Sequence, residues 1–159
     1  MSAPDLQTLY AVETQVEGAW KQVLAGLGID AFTQRETENL PIPRVDVQCS
    51  LGDFTGHRGE MMPGVFTLDA WNATIGFEVV TKRVQNQPAL HAETLAKVRM
   101  AAAYYANNFT QEVLPYHSLV YIQEQSTSPQ IEADDDTDRS ILNFSAIVCI
   151  RTNAWPQLT

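Results

Sequence analysis

The run ILNFSAIVCIR, residues 141–151, puts Leu142, Phe144, Ala146, Val148 and Ile150 on one side and Asn143 and Ser145 on the other. Successive side chains of a strand point to opposite faces, so this alternation specifies a strand with one buried face. Such a face needs a cover, and two segments can supply it. Leu6, Leu9, Val12, Val16, Trp20, Val23, Leu24 and Leu27 recur at steps of mostly three and four, which makes one helical stripe. Ser2 or Asp5 can cap that helix with Pro4 in its first turn, and Gly28 stands where a helix end takes a left-handed residue. Gly18 interrupts the helix at a cost of about 1 kcal/mol relative to alanine. A second helix begins at Pro88, with Leu95, Val98, Ala102, Tyr105 and Phe109 on its seam, and Leu114-Pro115 stops it.

Three further stretches read as strands. In residues 44–51, Val45, Val47 and Cys49 alternate with Asp46 and Gln48, after a proline-extended LPIP. Residues 65–84 form the longest β-like region, divided at 69–72 into two strands or bent there, and residues 118–125 have strand composition. Residues 52–64, GDFTGHRGEMMPG, hold four glycines and a proline and are expected to be a long loop. Residues 126–139, with Pro129 and EADDDTD, are expected to be a polar loop. The order is therefore α-β-β-β-α-β-β. The expected fold is α+β, a mostly antiparallel β-sheet with two helices packed on one face, as one domain over residues 1–159.

The bulk properties narrow the function. A chain of 159 residues can bury about two thirds of its unfolded surface in one core. Only 18% of residues are charged, which favours a subunit that hides part of its surface in an assembly. A net charge of −9 repels phosphate backbones and opposes wrapping of nucleic acid, although an acidic wall can border DNA without holding it. Cys49 and Cys149 lie in apolar runs and read as buried free thiols, with a bridge between their strands as the alternative. No signal-peptide pattern and no run of about 18 apolar residues is present, so neither export nor a membrane span is expected. The sequons at Asn72 and Asn108 are accordingly read as coincidental.

No catalytic residues, cofactor or metal ligands are expected. Asp134, Asp136 and Asp138 alternate like the opening of a calcium loop, but Arg139 stands in place of the required glycine and Ser145 in place of the bidentate glutamate. His57, His91 and His117 are dispersed, and neither cysteine has a metal-ligand spacing. His91 is expected on a solvated face of the second helix. The glycine-rich stretch lacks G-K-[ST] and leads into a strand, which opposes phosphate binding. What remains are candidate interface or lumen residues: His57 and Arg58 in the glycine stretch, Asp134, Asp135, Asp136 and Asp138 in the acidic one, and two tryptophans. Trp20 belongs to the helix stripe and the core. Trp71 suits core or interface equally, and Trp155, beyond the last strand, is placed to dock on a neighbour.

The amphipathic helix, LPIPRVDV, DAWNATIGFEVVTKR, the long second helix and ILNFSAIVCIRTNAWP together resemble the small tail-terminator (tail-completion, head-tail joining) proteins of long-tailed bacteriophages. The resemblance covers residues 4–156 as an order of elements, without a catalytic signature. It implies a homo-hexameric ring that caps the tail tube and joins it to the head-tail connector. DNA would pass through an acidic lumen without sequence-specific binding, in a virion assembled in the host cytoplasm. Within the same class the alternative is a head-completion or connector protein of the neck. In a different class it is a monomeric small-ligand-binding domain or enzyme, with its pocket between sheet and helices.

Overall fold

A computed structural model describes residues 7, 10–33, 41–62, 66–82, 89–107, 117–130 and 137–152, with side chains in 10–33, 41–54, 70–82, 90–104, 123–124 and 137–149. In chain order the elements are α1 (Val12–Gly26), β1 (Ala31–Thr33), β2 (Arg44–Met62), β3 (Phe66–Lys82), α2 (Ala89–Asn107), β4 (His117–Gln130) and β5 (Thr137–Thr152). The order is the expected α-β-β-β-α-β-β. The strands form one sheet, β1-β2-β3-β5-β4, in which every pairing is antiparallel except β1 with β2.

Both helices lie on one face. Val45, Val47 and Cys49 of β2, Ala73, Ile75, Phe77 and Val79 of β3, and Leu142, Phe144, Ala146 and Val148 of β5 meet Val12, Val16, Trp20 and Leu24 of α1 and Val98, Ala101 and Ala102 of α2 in one apolar cluster. Phe77 is its centre, edge-on to Trp20 at 5.3 Å and to Phe144 at 5.6 Å. The end of α1 is closed by paired backbone bonds, Ile29 N–H to the Leu24 carbonyl and Gly28 N–H to that of Ala25, both 3.0 Å. That closure needs a left-handed residue, and Gly28 has φ of 76°. Leu27, expected on the buried stripe, instead lies exposed in this turn.

Four expectations about the strands are corrected. The glycine-rich residues 52–64 are not a long loop: β2 runs to Met62 and β3 begins at Phe66. The register slips at four places between Leu51 and Met62, and such bulges admit glycine while the unbroken β3 ladder supplies partners. β3 is one strand through residues 69–72, which excludes the division into two. The polar residues 126–139 are mostly strand, since β4 reaches Gln130 and β5 starts at Thr137. Pro129 fits because β4 is the marginal strand, where a missing N–H breaks no ladder. Finally β1, three residues long and absent from the sequence reading, is held by parallel pairing to Val45, Asp46 and Val47.

Candidate interface surfaces

β1 covers β2 only opposite residues 45–47. The Val45 N–H points outward to the Asp30 carbonyl at 2.9 Å, so by alternation the Cys49 N–H also points outward, just past the end of β1. Glu17 fills the gap. Its carboxylate reaches from α1, 3% exposed, and accepts the Cys49 N–H at 3.1 Å. An unpaired buried N–H costs about 1–3 kcal/mol, so this bond closes the helix-covered part of the edge. Beyond it, β2 continues to Met62 with no strand outside it among the described residues, and β4 bounds the other margin. Sheet margins of this kind present backbone groups that pair readily with another chain.

The face opposite the helices is mixed: Ala70, Val80 and Cys149 are buried on it and Ile141 and Ile147 half-buried, while its other side chains are polar. At one end Arg44 Nε donates to both oxygens of Asp46 at 3.1 Å, and Arg139 Nη1 donates to Glu78 Oε1 at 3.1 Å. Asp46 and Glu78 are directly opposite each other, and the two arginines offset that repulsion. Burial nevertheless holds the Asp46 carboxyl above its usual range, with the Arg44 guanidinium pulling the other way. Towards the middle the face turns neutral, with Gln48, Ser50 and Thr74 exposed and Asn143 and Ser145 half-buried.

Three more features border the helix layer. Trp71 lies half-buried on the helix-covered face, 5.8 Å from Tyr10 and 5.0 Å from Phe54, whose ring is exposed. It therefore ends the core. A groove of about 600 Å³ lies between the helices, lined by Val23 and Leu27 of the α1 end and by Met100, Ala101 and Tyr104 of α2. His91 is not on a solvated face, as expected, but half-buried between α2 and the sheet, its Nδ1 2.8 Å from Thr81 Oγ1 and its Nε2 2.8 Å from Ser140 Oγ. A serine beside a histidine can be a nucleophile and its base, but Ser140 is 5% exposed and paired on both sides within the sheet, so no carbonyl carbon could reach it.

The candidate residues fall unevenly on this frame. Asp138 is in strand β5, opposite Thr81, rather than in a loop. His57 and Arg58 belong to β2 rather than to a loop, and their side chains lie outside the described residues, as do Asp134, Asp135, Asp136 and Trp155. Cys49 and Cys149 are both buried, and neither is in a disulfide. Cys49 faces the helices while Cys149 alternates with Val148 onto the other face, and β3 runs between their strands, which excludes a bridge. Burial, then the charges of Glu17 and Glu13, push the Cys49 thiol up to about 12.

No family model matches the chain, and no curated protein matches it. Among solved structures, it is similar to a chain described as "Virion of native gene transfer agent (GTA) particle". The TM-score is 0.50 and the identity 17%, over 87% of this chain and 96% of that one. At that identity the likeness establishes a shared fold.

Proposed function

We propose that this chain is a structural, non-enzymatic subunit of a phage-like virion, and more narrowly a tail terminator. In this reading it closes the tail tube as a ring of about six copies and joins it to the head connector. The observation that carries the proposal is the fold likeness to a virion chain across nearly the whole length of both polypeptides.

The sheet margins, which carry no further strand among the described residues, support the ring. The far half of β2 and the outer side of β4 are different surfaces, so a contact between them on neighbouring copies is heterologous and closes if the rotation allows. His57 and Arg58 on β2, with Asp134, Asp135, Asp136 and Trp155 outside the described residues, would meet neighbours, tube or connector, whereas Asp138 lies on the helix side of β5. The neutral polar sheet face and the net charge of −9 suit a wall past which DNA slides without adhering.

Inactivating the gene in cells that produce the particle tests this reading. The expected outcome is filled heads separate from tails of irregular length. Normal tails with heads that leak DNA would move the protein to the connector, and particles joined as usual would refute both.

A further inference from the structure

We infer that His91 is an acid-sensitive latch that holds the first turns of α2 to the sheet, and that protonation of its ring releases them. Three elements meet at this side chain: α2 through His91, β3 through Thr81 and β5 through Ser140, with both bonds at 2.8 Å. Thr81 and Ser140 are buried, so both bonds lie at the covered seam between α2 and the sheet.

Among the described residues, the other apolar hold on this end of α2 is Leu95, partly buried against the core. Leu90 is exposed, Thr94 turns its hydroxyl back to the Leu90 carbonyl at 2.8 Å, and the first fully buried apolar side chain of the helix is Val98. His91 therefore anchors the turns that precede the apolar contact of Val98, Ala101 and Ala102.

A neutral imidazole donates from one nitrogen and accepts at the other, which matches two rotatable hydroxyls. The cation has two donors and a charge to solvate in a half-buried site, so burial lowers the His91 pKa, and the Asp138 carboxylate opposes this only in part. Asp138 is the charged group facing the ring from the sheet among the described residues. Lys82 and Arg139 alternate to the other face, and Thr94, Leu95 and Val98 share the stripe of α2. Because the folded pKa lies below the usual 6.5, the unfolded or released state binds more protons between the two values, and the latch weakens as pH falls through that window.

The test uses the full chain. Ring-proton NMR follows the His91 titration. Hydrogen exchange of residues 92–95, whose amides are the first bonded within the helix, is compared at about pH 5 and about pH 7.5 after correction for the intrinsic pH dependence. The expected results are a midpoint below 6.5, and faster exchange at low pH by tenfold for each unit of that displacement. His91→Gln should remove the extra exchange at low pH. Asp138→Asn, which keeps the ring and both hydroxyls, should move the midpoint lower still. A midpoint at or above 6.5, exchange of residues 92–95 that does not respond to pH, or an unmoved midpoint in Asp138→Asn would overturn the latch. The last two measurements stand even if His91→Gln does not fold.

Discussion

The two faces of this sheet are built from the same strands and differ in kind. On one, Ile75, Phe77, Val79, Leu142 and Val148 are sealed beneath two helices. On the other, Thr74, Gln48 and Ser50 meet solvent beside two ion pairs. Alternation along each strand produces both at once, so every residue that deepens the core places its neighbours on the opposite side. The difference teaches that stability and the proposed assembly are separable: the helix-covered face holds the fold, and the contacts proposed above fall on the margins.

The contrast can be broken by mutation. Phe77→Ala should cost about 3–5 kcal/mol, read by urea denaturation, because it empties the centre of the core. Thr74→Ala, three residues earlier on the polar face, should stay within about 0.5 kcal/mol, and a cost like that of Phe77→Ala would erase the distinction. Glu17→Ala should cost about 1–3 kcal/mol by leaving the Cys49 N–H unpaired, while Glu17→Gln keeps an acceptor oxygen and should recover most of it. Gly18→Ala should stabilise by up to about 1 kcal/mol, since an added Cβ meets nothing within 4 Å and the helix loses a flexible residue.

The smallest effects belong to the ion pairs. With side chains 23% exposed, Arg139 and Glu78 should show a coupling of about 0.5 kcal/mol in a double-mutant cycle, falling with added salt. Asp46 adds a sign that can be checked. Its folded pKa is raised above 3.8, so the folded state binds more protons just above that value, and its contribution to stability falls as pH rises through the window. Asp46→Asn should remove that slope from the pH dependence of melting.

Much of the covered face was legible in the residues. The alternation of residues 142–148, the stripe Val12, Val16, Trp20 and Leu24, and the left-handed Gly28 all follow from local period and backbone sterics. The far half of β2 was not, because glycines and bulges erase its period and the neighbouring strand makes it β. β1 is too short to show a period at all.

Two buried or half-buried polar side chains were missed although a signal existed. Glu17 stands three residues before Trp20, on the buried stripe, and His91 stands four before Leu95, on the seam of α2. A polar residue at an apolar position of a helix asks for a buried partner, and both have one. The candidate interface residues had no such pattern, since contacts with other chains leave no period in a single sequence.

Native mass spectrometry of the purified chain, across a range of concentrations at neutral pH, tests the central claim most directly. The account predicts a closed species of about six 17.7 kDa subunits, favoured as concentration rises. A chain that stays solitary at the highest concentration, with both sheet margins still free, would contradict it.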